Sequence, residues 1–183
     1  MSKIVVFKGS PRKKGFTNQL IDEAIKGAKS KGAEVKIYDL NDDGVKGCQG
    51  CFHCRTHEGC ATKDYLQPMY EDIKNSDAII FGTPIYFYQI AGQAKQWIDR
   101  LYPVLDGKSK PRYPGKKVFS IFTQGSPDLE SYKTITDSIN GFFTMFGWNV
   151  EKTLICGGTT SPDFKLSDEL LKSALQAGET LAK

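Results

Sequence analysis

Residues 4–18, Ile4-Val5-Val6-Phe7-Lys8-Gly9-Ser10-Pro11-Arg12-Lys13-Lys14-Gly15-Phe16-Thr17-Asn18, decide the fold. Four β-favouring apolar residues in succession leave no polar face, which is the pattern of a strand buried on both sides in a parallel sheet. A Gly/Pro/basic loop ends the run. From Thr17 to Lys31 the residues Leu20, Ile21, Ala24, Ile25 and Ala28 then recur at helical spacing until Gly32 stops them. A buried strand feeding a helix through a glycine-bearing loop is the first half of a βαβ unit.

The same alternation continues along the chain. Val35–Tyr38 reads as a second strand, Ala78–Phe81 as a third, Val118–Phe122 as a fourth and Val150–Cys156 as a fifth. Between them lie a short helix around Pro68–Asn75 and longer ones over Ala91–Leu101 and Tyr132–Phe146. The Tyr132–Phe146 helix has an inward stripe of Ile135, Ile139, Phe142, Phe143 and Phe146, and a last helix spans Asp168–Leu181. Right-handed crossovers then give an α/β three-layer sandwich, a parallel sheet with helices on both faces. No linker, repeat or low-complexity tract interrupts residues 1–183, so one domain is expected, with a cysteine-rich loop at 47–61 inserted after the second strand.

At 183 residues, 39% hydrophobic and 25% charged, the chain suits one soluble domain with a sizeable core. It contains no apolar run of the ~18–20 residues that a membrane span needs. The N-terminus lacks the long apolar stretch and cleavage site of a signal peptide, so the expected location is the cytoplasm and no membrane partner is expected. The net charge of +4 is mild. The basic runs Arg12–Lys14 and Lys108–Lys117 read as solvated loops and not as a nucleic-acid face, because neither forms a helical stripe or alternates with aromatics.

Open parallel sheets bind ligands beyond the carboxyl ends of their strands, so the strand-end loops carry the functional signal. After the first strand, Ser10, Arg12, Thr17 and Asn18 gather donors at a helix N-terminus, where free N–H groups and the helix dipole favour a phosphate. The alternative makes Thr17 an N-cap and Gly9 and Gly15 plain turn residues. The spacing matches neither G-x-G-x-x-G nor G-x-x-x-x-G-K-[ST]. After the third strand, Pro84-Ile85-Tyr86-Phe87-Tyr88 offers an aromatic wall for a planar ring, or packing at a subunit interface. After the fourth, Thr123-Gln124-Gly125 offers backbone donors close to a ligand.

These pieces resemble the NADPH-dependent FMN reductase branch of the flavodoxin-like superfamily, and within it the iron–sulfur flavoprotein group. The carriers are Gly9-Ser10-Pro11-Arg12 with Thr17-Asn18, the Gly82-Thr83-Pro84-Ile85-Tyr86 loop, the Gln93-x-Lys95-x-x-x-Asp99-Arg100 helix and the cysteine run. The resemblance covers residues 3 to about 125. It implies a flavodoxin-like sandwich whose five parallel strands run in the order 2-1-3-4-5. It also implies non-covalent FMN, with NAD(P)H as co-substrate. Ser10, Pro11, Arg12, Thr17 and Asn18 would form the phosphate loop; Pro84, Ile85, Tyr86 and Phe87 would flank the isoalloxazine; Thr123, Gln124 and Gly125 would close the other side. A homodimer or homotetramer packed through Gln93–Arg100 follows, with Asp99-Arg100 as a structural ion pair or interface contact. Because flavin brings its own hydride and electron chemistry, no catalytic side chain is needed. None is evident: the two histidines, His53 and His57, both lie in the cysteine segment and no Ser/His/Asp set is present.

Cys48-x2-Cys51-x2-Cys54-x5-Cys60 bunches four of the five cysteines, which in a cytosolic chain points to metal or redox chemistry more than to a disulfide framework. The run resembles the ligand spacing of iron–sulfur flavoproteins, whose thiolates wrap a [4Fe-4S] cluster. Zinc, a redox-active disulfide or free thiols remain open as alternatives. Cys156 reads as a small buried hydrophobe. The expected function is an FMN-dependent NAD(P)H oxidoreductase passing electrons to a quinone-like small acceptor, or through the cluster to a redox protein. The competitors are a non-enzymatic flavodoxin-type electron carrier and a metal-binding module built on the cysteine loop.

Overall fold

The computed structural model describes residues 1–183. In chain order the elements are β1 (Lys3–Lys8), α1 (Phe16–Ser30), β2 (Glu34–Asp39), α2 (His53–Thr56), α3 (Met69–Asn75), β3 (Ala78–Tyr86), β4 (Gln89–Ile90), α4 (Gly92–Asp99), β5 (Lys117–Thr123), α5 (Lys133–Met145), β6 (Asn149–Cys156) and α6 (Asp168–Leu181). The sheet order is β2-β1-β3-β5-β6, all parallel, with the two-residue β4 paired antiparallel to the end of β3. With β4 set aside, this is the expected 2-1-3-4-5 arrangement. The registers Val6↔Ile37, Val6↔Ile80 and Ile80↔Phe119 align the apolar runs across the sheet.

Successive strand residues point to opposite faces, so each strand feeds two cores. Val5, Phe7, Ile79, Phe81, Val118 and Phe122 meet Trp97, Phe143 and Trp148 on one face. Ile4, Val6, Ile80, Phe119 and Ile121 meet Leu20, Ile21 and Leu181 on the other. Each fully buried side chain of this size contributes about 1.5–3 kcal/mol before entropy is counted. On the second face α1 and α6 touch backbone to backbone: a Cβ on Gly27 would lie 2.0 Å from the Leu175 carbonyl oxygen, and one on Gly178 would lie 1.9 Å from that of Ala24. No helix is long and apolar enough to cross a membrane.

Three local expectations change. β3 runs five residues beyond Phe81 to Tyr86, because Gly82–Pro84 keep pairing with Ile121–Thr123 of β5 before the chain turns into β4. Phe142 is 39% exposed, as one turn of α5 rotates it out of the stripe that buries Ile139 and Phe143. Asp99 and Arg100 do not pair with each other: Asp99 meets Lys95 at 2.6 Å, and Arg100 meets Asp64 at 2.6 Å. Adjacent helical residues point in different directions, so neither could reach its neighbour. Cys156 is buried, as expected.

Candidate active site

The β1–α1 loop is built by close approach. The Gly9 N–H donates to the Gly82 carbonyl at 2.7 Å, and a Cβ on Gly9 would sit 2.8 Å from that oxygen and 2.9 Å from the Ala94 Cβ. Only glycine lets the two strand ends converge here. Gly15 precedes α1 with no side-chain cap, and no acid occupies the first turn, so its N–H groups and dipole stay available to an anion. Thr17 does not cap the helix; its hydroxyl hydrogen-bonds the Thr123 hydroxyl at 2.7 Å, joining α1 to the end of β5 in a buried contact. Ser10 Oγ accepts from the Arg12 N–H at 3.3 Å. Asn18 is buried beneath the loop, and its Nδ2 donates to the Arg12 carbonyl at 3.0 Å, bracing the turn that holds Arg12 outward.

Opposite lies the end of β3. Pro84 and Ile85 are buried and Tyr86 is 42% exposed. The chain then reverses through Phe87 and Tyr88 at φ of 46° and 62°, a left-handed pair normally filled by Asn or Gly. Phe87 is fully exposed, while Tyr88 sets its ring edge-on against Tyr132 at 5.3 Å. The third wall is the β5 end. Gln124 is buried, and its Nε2 donates to the Asp128 carbonyl at 2.7 Å, leaving Oε1 without a partner. Gly125 lies under Thr160, whose Cγ2 would be 2.9 Å from an added Cβ, and the Thr159 hydroxyl donates to the Gln124 carbonyl at 2.9 Å.

Ser10, Arg12, Thr17, Pro84, Ile85, Tyr86, Thr123, Gln124 and Gly125 thus line one cleft of about 450 Å³. Pro11, Asn18 and Phe87 lie outside its lining, Asn18 under the loop and Phe87 at the turn beyond the wall. Lys14, Gly15, Phe16, Thr159 and Thr160 line it as well. The Thr159-Thr160 pair was missed at the sequence level, although Gly157-Gly158 at the end of the last strand carried the same signal as the other loops. The volume lies within the ~300–1,000 Å³ of small-molecule sites. The chemistry fits FMN. Exposed Arg12 and Lys14 and a free helix N-terminus face the end suited to a phosphate, an apolar and aromatic wall faces a backbone wall, and the unpaired Gln124 oxygen asks for a donor such as an imide N–H or ribityl hydroxyl.

The cysteine loop lies at the far end of α4. Cys48, Cys51, Cys54 and Cys60 are all free and line a single cavity of about 170 Å³ with His53, Arg100 and Tyr102. Gly50, Phe52 and Gly59 take positive φ, which lets the chain coil back on itself. Burial pushes the Cys54 thiol up, and the neighbouring cysteines add to the shift. For Cys60 burial also pushes up, but hydrogen bonds to Thr62 and the charge of Arg100 outweigh it and hold the thiol below its usual range. Donor type, number and shared cavity fit a thiolate-ligated group, while no three metal-ligating side chains converge into a coordination shell. The stacked His53 and His57 rings, 4.3 Å apart, stand at the start of α2 and just past its end.

Beneath this loop Arg100 is fully buried with Asp64. The guanidinium meets both Asp64 oxygens (2.6 and 2.9 Å), the Lys46 carbonyl (2.7 Å), the Thr62 carbonyl (3.5 Å) and the Tyr70 hydroxyl (3.3 Å). Burial pushes the Asp64 carboxyl up, but hydrogen bonds from Arg100 and the Lys46 N–H more than offset that and hold it below the usual carboxylate range.

Comparison with known proteins places this geometry in a family. An iron–sulfur flavoprotein of Archaeoglobus fulgidus is 27% identical over 99% of this chain and 79% of its own length. One of Methanocaldococcus jannaschii is 28% identical over 99% of this chain and 96% of its own. Among solved structures, an NAD(P)H:quinone oxidoreductase from Methanothermobacter marburgensis superposes with a TM-score of 0.73 at 17% identity, covering 100% of this chain and 98% of that one. An azoreductase from Bacillus anthracis gives 0.70 at 16%, covering 100% and 99%. These two likenesses show the flavodoxin-like fold. The model of the NADPH-dependent FMN reductase family matches residues 2–149, the span that carries the β1, β3 and β5 strand-end loops, and the chain belongs to that family.

Proposed function

We propose that this chain holds FMN non-covalently in the 450 Å³ cleft and transfers electrons from NAD(P)H to a quinone-like small acceptor. The observation that carries the reading is the convergence of three strand-end loops on one cleft with cations at one end and an apolar wall at the other. Bound FMN supplies the hydride and electron chemistry. The protein's residues do the rest. Arg12, Ser10, Thr17 and the first turn of α1 bind the phosphate; Pro84, Ile85 and Tyr86 hold one side of the ring; Thr123–Gly125 offer hydrogen bonds on the other, with Gln124 Oε1 accepting.

A second reading concerns the cysteine loop, because all four thiols share one cavity. Cys48, Cys51, Cys54 and Cys60 would hold a [4Fe-4S] cluster that gives a redox protein access to the electrons. The A. fulgidus and M. jannaschii relatives named iron–sulfur flavoproteins support it. A cytoplasmic, single-domain homodimer or homotetramer packed through Gln93–Arg100 completes the proposal.

The test is the visible spectrum of anaerobically purified protein, with iron and acid-labile sulfide assayed on the same sample and NAD(P)H oxidation followed with a soluble quinone. A yellow flavin spectrum with quinone-dependent turnover is expected. Flavin without turnover would leave a flavodoxin-type carrier. A colourless protein with stoichiometric zinc would leave a cysteine-loop metal module.

A further inference from the structure

We propose that Arg100 is the positioning residue of the cysteine loop: it fastens both stems of the loop to the end of α4, so that only the tip carrying the thiols has to move when a ligand is gripped. This rests on the reading of that loop as a ligand site. A guanidinium has five N–H donors and no acceptor. Here they supply all five of its contacts: to Lys46 on the incoming stem, to Thr62 and Asp64 on the outgoing stem, and to Tyr70 of α3. The stems are also tied to each other, since the Lys46 N–H donates to Asp64 Oδ2 at 2.9 Å and the Tyr65 N–H to the Gly44 carbonyl at 3.2 Å. Cys48 and Cys60, the outer thiols, stand two residues from Lys46 and Thr62.

A buried ion pair is weak grounds for stability, because well-packed apolar residues often replace one without loss. A guanidinium with four of its five donors on the loop stems is better explained by geometry. Closing a flexible loop costs entropy that a pre-fastened one has already met. The tip, by contrast, is free to contract. Its thiols already face one cavity without forming a shell, and its three positive-φ residues, Gly50, Phe52 and Gly59, lie between the outer cysteines.

The experiment titrates Co²⁺ into the full-length, reduced, metal-freed and FMN-loaded chain, and reads thiolate-to-metal charge-transfer absorption. The variant replaces the clamp by apolar residues, Arg100→Met with Asp64→Leu, so that no charge is left buried alone. Its melting temperature and FMN affinity are measured in parallel. We expect both to stay near the parent's while Co²⁺ affinity falls about 10–100-fold, the range for groups that orient ligands from behind. Equal Co²⁺ affinity in parent and variant would overturn the positioning role and leave the ligand reading intact. A parent with no charge-transfer band would overturn both. Should the double variant not fold, Arg100→Lys, which keeps the charge but has three donors for five contacts, is expected to lose part of the affinity; unchanged affinity there overturns the proposal equally.

Discussion

Arg12→Ala isolates the phosphate end of the cleft. Arg12 is exposed on a turn braced by Asn18, so removing its side chain leaves no buried group unpaired and stability without FMN should move by no more than about 0.5 kcal/mol. A charge-assisted hydrogen bond contributes about 1.5–3 kcal/mol. At ~1.4 kcal/mol per decade, the loss is roughly 10- to 150-fold in the Kd for FMN. Flavin fluorescence quenching measures it, with riboflavin as the internal control because it shares the ring and ribityl chain but lacks the phosphate. The parent should prefer FMN strongly, and the variant should lose most of that preference with riboflavin affinity unchanged. Raised salt should narrow the gap between parent and variant, since an exposed cation is screened. An FMN Kd within twofold of the parent, or an equal loss for riboflavin, would refute the assignment of the anionic end to the β1–α1 loop.

Three further outcomes are expected. Asp64 has a depressed carboxyl pKa in the folded chain, so its contribution is full above the unfolded carboxylate range and is lost as pH falls through the lower folded value; Asp64→Asn, leaving Arg100 buried against a neutral partner, should cost about 3–5 kcal/mol near pH 7 and flatten that acid limb in urea melts. Gly9→Ala pushes a methyl to 2.8 Å from a backbone oxygen and 2.9 Å from Ala94, and should cost about 1–3 kcal/mol, seen as a lowered melting temperature. Phe87→Asn with Tyr88→Gly relieves two left-handed residues, worth about 1–2 kcal/mol each at most, so the melting temperature should rise; an unchanged or lowered value would refute strain at this turn.

The strands were legible because parallel pairing buries both faces, so short continuous β-rich runs such as Ile79–Phe81 between turn signals read as buried strands. The β3–β4 hairpin was not. Its turn is Phe87-Tyr88 where the backbone favours Asn-Gly, so local chemistry pointed to a loop and tertiary packing against Tyr132 decided otherwise. The cleft was legible through its glycines and hydroxyls at strand ends, yet Thr17 proved to be tied across the sheet to Thr123, a partner 106 residues away that no spacing rule reveals. The same holds for Arg100, whose partner lies 36 residues back and not beside it.

The Gly27 and Gly178 crossing also has a meaning for the order in which the molecule is made. α1 is synthesised well before α6, with one side shaped to receive the bare helix backbone at Gly178. The helix that presents its amino end to the cleft therefore waits, half-covered, until α6 has been synthesised. Loading with cofactor should follow the synthesis of α6, and nascent chains stalled before residue 168 should be sticky, chaperone-bound species.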